Sequence, residues 1–574
     1  MQMAQNKTEE NVLNDAFRSI KGYFLYAVLF SASINLLMLT PVIYMLQVYD
    51  RVVSSGSMST LMMLTLLMVL LMSSAGSFEW VRSRLLVAAN VRLESSLRDP
   101  LSKAAFMGTL VTGNPNRASQ TMSDLLALRQ FITGNGAFAV MDAPWTLIYI
   151  GIMFLFHPMF GIAASISAVI MILLAVITQK STAEKLLKAN QLTAKANMSF
   201  QSNLRNTEVI HGMGMAANIR RRDSALYNEA SNEQAVASTI AGRLSAISRS
   251  FRMISQSILL GMGAYLALNG EISPSLMIAG SLLLGRALAP IDMMVGNWKG
   301  FVEVKSQFNR IRTTLAAFPA ENDRMSLPAP TGSLSVEQII VTPPGSQIAS
   351  VKGVGFQLAA GDALGIIGPS AAGKTSLARA ILGVWPLRAG TVRLDGAEIS
   401  QWDRDELGPY LGYLPQDIEL FDGSIADNIC RFSQQDSEKI IEASKTAGIH
   451  EMILRLPEGY DTVLNSNAGA LSAGQRQRLG LARAIYGQPK LVILDEPNSN
   501  LDDQGERDLL TALRRIKESG RTVIVITHRT SILSMVDKLL LMKDGAVVNF
   551  GERDEVLKAI NISNPKISQL QNKA

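Results

Sequence analysis

The stretch "DALGIIGPSAAGKTSLARAIL", Asp362 to Leu382, decides the fold of the second half of this 574-residue chain. It predicts a buried strand, a loop of small residues and a helix, the context in which the spacing G-x-x-x-x-G-K-[ST] forms a phosphate-binding loop. Glycines let the backbone fold closely around phosphate oxygens; we expect Lys374 to reach the β- and γ-phosphates and Thr375 to bind Mg²⁺. The predicted loop comprises Gly368, Pro369, Ser370, Ala371, Ala372, Gly373, Lys374, Thr375 and Ser376.

The segment "PKLVILDEPNSNLD" contains two adjacent acids after an apolar run. The run predicts a buried parallel strand that ends at Asp495, where a carboxylate can bind Mg²⁺ through its water shell. The next residue, Glu496, can orient or deprotonate the water that attacks the γ-phosphate. A purely structural role would not require two acids at the end of a buried strand.

Two further strand ends carry polar side chains. "RTVIVITHRTS" predicts a strand that ends near His528, at the sheet edge where α/β proteins bind ligands. A neutral imidazole there can contact the γ-phosphate and hold Glu496, and the amide of Gln416, in "YLGYLPQDIEL", can contact Mg²⁺ and the water. The predicted catalytic residues are Glu496, His528 and Gln416, and the predicted Mg²⁺ ligands are Thr375, Gln416 and Asp495.

A second loop of small residues opens into a helix in "ALSAGQRQRLGLARAI", residues 470–485. Such a helix start offers backbone N–H groups to a phosphate. The chain already has a complete phosphate-binding loop about a hundred residues earlier. One nucleotide site does not need two such loops, so the second requires an explanation.

The first half of the chain is apolar enough to lie in a membrane. Charged residues make up 18% of the sequence and hydrophobic residues 48%, and the charges are sparse within residues 23–300. A single apolar segment can be a core helix, but six segments that each match a hydrocarbon core of about 20 residues predict a membrane domain. They lie at 23–47, 58–78, 138–156, 159–178, 253–270 and 275–295.

The distribution of basic residues predicts the orientation of these spans. The long connections 79–137 and 179–252 contain 7 and 11 Lys and Arg residues, whereas the three short loops contain only Arg51. Basic residues favour the cytoplasmic side, so the long connections and both termini are expected there. The net charge of +6 is then a matter of membrane orientation, and no nucleic-acid partner is expected.

The long connections also lack helix breakers. No Gly or Pro occurs from Glu79 to Leu97 or from Gln179 to His211, which predicts helices that continue out of the bilayer. Before the first span, Leu13, Phe17 and Ile20 fall on one helical face. This pattern predicts either a helix lying on the membrane surface or a solvated lead-in.

Two charged residues fall within predicted spans, Arg286 in the sixth and Asp142 at the start of the third. Charges inside a membrane usually face a water-filled cavity or each other. We hypothesise that Arg286 lines a hydrated translocation path. A role in helix packing or at the membrane interface is the alternative.

A proline-rich polar stretch separates the two halves. The single cysteine, Cys430, excludes an internal disulfide framework and favours a reducing compartment, and the polar, acidic start does not resemble a cleavable signal peptide. The predicted domains are a cytoplasmic lead or interfacial helix at 1–22, a membrane domain at 23–317, a linker at 318–333 and a nucleotide-binding domain at 334–574.

Taken together, "GPSAAGKT", "LPQD", "LSAGQRQ", "LVILDEP", "SNLD" and "ITHR" resemble the motifs of the ATP-binding cassette (ABC) family. With six preceding spans the chain is similar to a half-transporter exporter. The resemblance implies an α-helical transmembrane domain, with six spans and long cytoplasmic helical extensions, fused to an α/β P-loop ABC nucleotide-binding domain. It also implies ATP and Mg²⁺ as cofactors.

The resemblance explains the second loop. In this family two cassettes pair head-to-tail, and each ATP lies between the phosphate-binding loop of one and the signature loop of the other. It implies a homodimer in which Asp502 belongs to the D-loop. The signature residues that serve the partner subunit's ATP are Leu471, Ser472, Ala473, Gly474 and Gln475.

Finer features, among them "YMLQVYDRVVSSGS", "MDAPWTLIYIGIMFLFHPMFG" and "GRALAPID", resemble type I secretion exporters of the PrtD kind. That branch exports proteases, lipases or haem-binding proteins with a C-terminal signal. The resemblance implies a bacterial inner-membrane ATPase that works with a periplasmic membrane-fusion adaptor and an outer-membrane channel. Two departures are the absence of the adenine-stacking aromatic near Pro343 and Ala473 in place of the usual glycine.

Three other functions share part of this pattern. A lipid or drug exporter has the same catalytic motifs, and only the branch-like stretches separate it from a polypeptide exporter. An ATP-gated channel or regulatory subunit can lose Glu496 or His528, both of which are present. A soluble DNA-associated cassette ATPase has no use for six spans.

Overall fold

The computed structural model describes residues 2–113, 115–318, 326–464 and 471–563. The chain divides into two compact units. The helical unit comprises Met1–Thr109 and Asn114–Ala320, and the α/β unit comprises Leu110–Gly113 and Glu321–Ala574. The predicted linker 318–333 lies partly outside the described residues.

The helical unit contains eleven described α-helices and one π-helix. Their bounds are α1 Gln2–Leu37, α2 Thr40–Gln47, the π-helix Val48–Val53, α3 Met58–Thr112, α4 Pro115–Ile132, α5 Asn135–Asp142, α6 Trp145–Phe156, α7 Pro158–Arg205, α8 Thr207–Gly212, α9 Ala216–Leu268, α10 Pro274–Gly296 and α11 Trp298–Ala317.

Five described helical stretches are long and apolar enough to cross a membrane, and a bent helix pair brings the number to six. The bent pair is α5 and α6, which meet at an angle of 43°. The sequence predicts one continuous span over 138–156, and the structure breaks it because Pro144 cannot donate a helical hydrogen bond. The prediction of helices that continue beyond the spans is confirmed by α3, α7 and α9, of 55, 48 and 53 residues.

The N-terminal apolar face packs inside the helical unit. Ile20 and Ala16 are buried, and Leu13 and Phe17 pack in the same cluster as residues of α3, α4 and α11. The phenyl rings of Phe17 and Phe308 are 5.9 Å apart. This face therefore contacts helices of the same unit, whereas the sequence alone predicts contact with a membrane surface or with solvent.

The helical unit also buries an ion pair. Arg82 on α3 is 4% exposed, and its Nη1 lies 3.2 Å from Oδ1 of Asp142 at the end of α5. The same oxygen accepts hydrogen bonds from Asn35 Nδ2 (2.8 Å) and from the Ser31 hydroxyl, both on α1. The Arg82 guanidinium also lies over the ring of Phe138, 4.5 Å from its centroid. Three helices thus meet at one acid.

The α/β unit alternates short strands with helices. Its described strands are β1 Leu334–Val341, β2 Val351–Leu358, β3 Ala363–Ile367, β4 Leu387–Leu394, β5 Ala397–Glu398, β6 Leu411–Leu414, β7 Gly423–Ser424, β8 Val463–Leu464, β9 Leu491–Asp495, β10 Thr522–Ile526, β11 Lys538–Lys543 and β12 Ala546–Glu552. Its described helices are α12 Lys374–Ile381, α13 Arg404–Leu407, α14 Ile425–Ile429, α15 Ser437–Thr446, α16 His450–Leu454, α17 Ala473–Ile485, α18 Asp503–Glu518, α19 Thr530–Leu533 and α20 Arg553–Ser563.

The main sheet has the strand order β12-β11-β3-β10-β9-β6, parallel except for β12. A second, antiparallel sheet has the order β2-β1-β4-β5. Every residue of β9 and β10 is buried, as their unbroken apolar runs predict. Because β3, β6, β9 and β10 are parallel, their carboxyl ends lie on one edge of the sheet, where all the predicted catalytic residues follow.

Candidate nucleotide-hydrolysis site

The predicted phosphate-binding loop connects β3, in the middle of the main sheet, to α12. Gly368 (φ +153°) and Gly373 (φ +94°) have left-handed backbone conformations. A Cβ atom would clash with the carbonyl oxygen of Met542 at the first position and of Ser350 at the second. The loop can therefore keep this shape only with glycine at both positions.

The Lys374 side chain folds back over the loop. It is 6% exposed, and its Nζ donates hydrogen bonds to the carbonyl oxygens of Gly368 (2.8 Å) and Pro369 (3.0 Å). Burial lowers the pKa of the ammonium group, while the carboxylates of Glu496 and Asp495 act against that shift. Phosphate oxygens would replace two neutral acceptors with charged ones, which form stronger hydrogen bonds.

The other loop residues differ in exposure. Ala371 has a left-handed backbone (φ +63°), which is uncommon for a residue with a side chain. Pro369, Ser370 and Ala371 are exposed, Thr375 and Ser376 are half-buried, and Ala372 is buried. The loop therefore presents its first half to solvent and anchors its second half in the unit.

Asp495, the last residue of β9, is buried and forms no ion pair with a described residue. It is 1% exposed, and neither carboxylate oxygen accepts a hydrogen bond of normal geometry from a described residue. Burial raises the pKa of this carboxyl, and the neighbouring Thr375 hydroxyl partly offsets the shift. Buried carboxylates are usually paired or bound to a metal, so this acid is suited to a cation.

A carboxylate beside a hydroxyl fits Mg²⁺. This ion prefers oxygen ligands and often takes only one or two from the protein, with waters and substrate phosphates supplying the others. Among the described residues, no group of three or more His, Cys, Asp or Glu side chains could hold a metal ion. Asp495 and Thr375 therefore suit a metal that binds together with a nucleotide.

Glu496 lies between the ends of three strands. Its Oε2 accepts a hydrogen bond from Gln416 Nε2 (3.1 Å), two residues after β6, and its Oε1 lies 3.7 Å from His528 Nε2, two residues after β10. Its backbone is left-handed (φ +47°), and its amide donates to the carbonyl of Ile526 (3.0 Å). The structure thus brings together the three residues predicted to be catalytic.

The signature loop forms the start of α17. Ser472 caps the helix: its hydroxyl accepts from the Gln475 amide (3.3 Å), and its own amide donates to Gln475 Oε1 (2.8 Å). Leu471 is buried in the core, while Ala473 and Gly474 form the first turn. The helix start faces solvent at Ser472, as a surface for a second molecule requires.

Asp502 also caps a helix. Its Oδ1 accepts a hydrogen bond from the Gly505 amide (2.8 Å) at the start of α18. Helix capping is by itself a sufficient structural reason for an aspartate at position 502, directly after "SNL". The structure therefore assigns it a local role, and a D-loop function remains a prediction.

Two further predicted features are not among the residues at these strand ends. Arg286 is on α10 in the helical unit, with an exposed side chain that pairs with no described residue. Asp142 pairs with Arg82 instead. Near Pro343, a surface cavity of about 520 Å³ is lined by Thr342, Ser346, Gln347, Pro386, Leu387 and Arg388, none of them aromatic.

Sequence reasoning missed two buried contacts. Gln477, inside the quoted "LSAGQRQ", is 2% exposed, and its amide bonds to the backbone near Glu496. Nothing in the sequence pattern indicates that the Gln477 side chain points into the core. The pairing of Arg82 with Asp142 was also missed, although an arginine and an acid at the ends of neighbouring predicted spans could have suggested it.

Comparisons with known proteins agree with this architecture. Residues 351–499 match the ABC transporter family model, and residues 24–289 match the ABC transporter transmembrane region. A solved bacterial Atm1-family ABC exporter with ATP bound has the same fold, with a TM-score of 0.77 over 94% of this chain and 96% of that chain at 20% identity.

Curated relatives narrow the class. The type I secretion system ATP-binding protein PrsD of Rhizobium meliloti is 44% identical over 94% of this chain and 93% of its own length. The leukotoxin translocation ATP-binding protein LktB of Mannheimia haemolytica and the cyclolysin secretion/processing ATP-binding protein CyaB of Bordetella pertussis are each 26% identical. LktB matches over 93% of this chain and 76% of its own length, and CyaB over 91% and 74%.

The fold and the site define a multi-pass membrane ATPase of the ABC transporter class. Within that class, the chain belongs to the family of type I secretion ATP-binding proteins.

Proposed function

We propose that this chain is the ATP-hydrolysing membrane component of a type I secretion system and exports a polypeptide across the bacterial inner membrane. The passenger is a protease, lipase or similar protein with a C-terminal signal. The observation that carries the proposal is the 44% identity to PrsD across both units. The convergence of Gln416, Glu496 and His528 at the sheet edge supports the hydrolytic part.

The residues around the phosphate-binding loop have different roles in ATP hydrolysis. When ATP binds, its phosphates lie against the backbone of residues 368–376. The Lys374 ammonium group then gives up its hydrogen bonds to the loop carbonyls and donates to the β- and γ-phosphates. The Glu496 carboxylate accepts a proton from, or orients, the attacking water. Gln416 holds one carboxylate oxygen at 3.1 Å, and His528 is placed to hold the other and contact the γ-phosphate.

Asp495, Thr375 and Gln416 are the residues that would hold Mg²⁺ with the nucleotide. Bound Mg²⁺ neutralises charge that develops on the phosphates. The cost of burying the unpaired Asp495 carboxylate then favours metal binding, because the metal supplies the missing opposite charge.

The functional unit is a homodimer. Each chain has one phosphate-binding loop and one solvent-facing signature loop, so two chains arranged head-to-tail would complete two ATP sites. The helix start at Ser472 would then direct its N–H groups to the γ-phosphate bound by the second copy. The hydroxyl of Ser472 already caps its own helix and is exposed enough to reach a ligand.

The partners are a periplasmic membrane-fusion adaptor, an outer-membrane channel, the secreted polypeptide and membrane lipid, with no nucleic acid. The long connections and both termini are cytoplasmic, which the distribution of Lys and Arg supports. The exposed side chain of Arg286 on α10 is compatible with a hydrated path that favours acidic passenger segments.

The test uses the purified full chain in lipid, with Glu496→Gln beside the wild type. ATPase activity is followed while the C-terminal segment of a secreted protein encoded near this gene is added, with a scrambled segment as the control. We expect the true segment alone to change the rate and Glu496→Gln to lower it roughly 100-fold, the scale of general-base catalysis. Equal responses to both segments, with lipids or drugs shifting the rate instead, would contradict polypeptide export.

A further inference from the structure

Gln477 lies inside the α/β unit, one helical turn after the exposed signature loop. Its side chain is 2% exposed although the residues at the start of α17 face solvent. A buried amide has two donor hydrogens and an acceptor oxygen that must be satisfied, so its partners are informative.

The Gln477 amide links both ends of the segment that follows β9. Its Nε2 donates to the carbonyl oxygen of Glu496 (3.1 Å) and lies 3.4 Å from the Ser499 hydroxyl. Its Oε1 accepts a hydrogen bond from the Asn500 amide (3.0 Å). One side chain on the signature helix thus fixes residues 496–500 at two backbone positions.

The backbone at Glu496 needs such support. Its left-handed conformation (φ +47°) is uncommon for a residue with a side chain. The amide of Glu496 is fixed by Ile526 on β10, while its carbonyl is fixed by Gln477 and by the Ser499 amide (3.2 Å). A change in the carbonyl contact would rotate the peptide plane and move the carboxylate.

The signature loop also touches this segment directly. A Cβ placed on Gly474 would lie 2.9 Å from the carbonyl oxygen of Asn500, so the two backbones are in close contact. The start of α17 and residues 496–500 are therefore joined by three hydrogen bonds of Gln477 and by close packing. Displacing one displaces the other.

We infer that Gln477 is a positioning residue that transmits the position of the signature loop to the backbone of Glu496 in the same chain. In a head-to-tail dimer the signature loop faces one ATP and Glu496 the other, so this amide connects the two ATP sites. The inference rests on the proposed function, in the roles given to Glu496 and the dimer. Gln477 itself touches no nucleotide.

The experiment measures the ATPase rate of the full chain in lipid against ATP concentration. Gln477→Met keeps the length of the side chain and removes all three of its hydrogen bonds. The control is Arg478→Met on the same helix, which removes contacts to Gly448 and Asp508 and none to residues 496–500 that the structure describes. Glu496→Gln is measured in parallel.

We expect wild type to show a Hill coefficient above one. Gln477→Met should lower kcat roughly tenfold, the effect of losing a buried hydrogen bond, and bring the Hill coefficient to one. The ATP concentration for half-maximal rate should stay within about twofold, since the ATP-binding loop is untouched. Arg478→Met should change neither kcat nor the Hill coefficient.

A second variant tests the donated hydrogen bond. Gln477→Glu keeps the acceptor for Asn500 but cannot donate to the Glu496 carbonyl while ionised. Burial raises the pKa of an introduced carboxyl, and its protonated form regains a donor. The ratio of variant to wild-type kcat should therefore rise as the pH falls.

The possible outcomes test the positioning role of Gln477 separately from the proposed function. Wild-type kcat and Hill coefficient in Gln477→Met, an equal loss in Arg478→Met, or a pH-independent ratio in Gln477→Glu would each overturn the inference while leaving the proposed function intact. A wild-type Hill coefficient of one would overturn the link between sites. Normal turnover in Glu496→Gln would overturn the proposed role of Glu496 itself.

Discussion

Each unit has an aspartate at the end of a helix or strand, half-buried Asp142 in the helical unit and buried Asp495 in the α/β unit, and the two acids have opposite surroundings. Asp142 in the helical unit receives hydrogen bonds from three side chains, among them the buried Arg82. Asp495 in the α/β unit is 1% exposed and forms no ion pair with a described residue; only the Thr375 hydroxyl lies beside its carboxylate. The first acid is neutralised within the fold, and the second is not.

This difference separates structural charge from functional charge. An acid whose partners all lie in the chain is neutralised by the fold itself and needs no ligand. A buried acid without partners costs folding free energy, and such a cost persists where a ligand later compensates it. The contrast supports the proposed role of Asp495 as a metal ligand and of Asp142 as part of a structural pair. It predicts changes of opposite sign in the free energy of unfolding when the two acids are substituted.

The largest effect is expected from Asp142→Asn. This change leaves the buried Arg82 guanidinium with only the largely exposed Glu79 as an opposite charge, and breaking a buried pair in this way costs about 3–5 kcal/mol. The free energy of unfolding should fall by that amount, measured in mixed micelles with increasing SDS.

Two controls accompany this measurement. Glu79 also lies near Arg82, at 3.8 Å, but is largely exposed, so Glu79→Gln should cost less than about 0.5 kcal/mol. The double variant Arg82→Met/Asp142→Leu removes both charges and should recover most of the loss. A double variant as unstable as Asp142→Asn would show that the two charges are not coupled.

Asp495→Asn should change the free energy of unfolding in the opposite direction. It removes an unpaired buried charge and should raise the free energy of unfolding of the nucleotide-free protein by about 1–2 kcal/mol, in line with other substitutions that relieve functional strain. Mg²⁺-dependent ATPase activity should be lost. Thermal unfolding of the full chain tests the first effect, with the exposed Asp503→Asn as control; a lower midpoint than wild type would contradict it.

Two capping boxes allow a second comparison between a structural residue and one proposed to bind a ligand, with smaller expected effects. Ser424 caps α14 through Asp427 as Ser472 caps α17 through Gln475. Either serine changed to alanine should cost about 1 kcal/mol of stability. Only Ser472→Ala should also lower ATPase activity, since only that cap is proposed to face ATP. Equal activity in the two variants would remove Ser472 from the site.

The smallest effect concerns pH. Burial raises the folded-state pKa of Asp495 above the ordinary value of about 4, so folding takes up a proton between these two pKa values. Wild-type stability should therefore gain as the pH falls through the raised pKa, and be lost as the pH rises through it. The stability advantage of Asp495→Asn over wild type should therefore shrink on acidification, in unfolding curves without nucleotide. A constant difference would place the carboxyl in an unperturbed environment.

The sequence predicted what depends on local pattern. Apolar length predicted the spans, and the residues that follow the buried strands, such as Glu496 and His528, predicted the composition of the site because parallel strands end on one edge. Gly368 and Gly373 were predictable because their conformations suit glycine alone.

What the sequence did not predict depends on contacts between distant residues. The burial of the Gln477 side chain and the pairing of Arg82 with Asp142 arise from tertiary packing. The spacing of residues in the sequence does not predict such contacts. The third span was predicted as continuous because its apolar pattern runs through Pro144. The N-terminal face around Ile20 was placed against membrane or solvent because amphipathicity does not identify the surface that covers it.

The Arg82–Asp142 pair also bears on how the chain is made. A lone acid entering a membrane at the middle of a helix costs about 3 kcal/mol, less near its ends. Ser31, Asn35 and Arg82 all precede Asp142 in the sequence, so the ribosome has delivered every partner before the acid emerges. We therefore expect the third span to enter the membrane with its counter-charge already synthesised, and we expect insertion to be less favourable if this aspartate preceded its partners in the sequence.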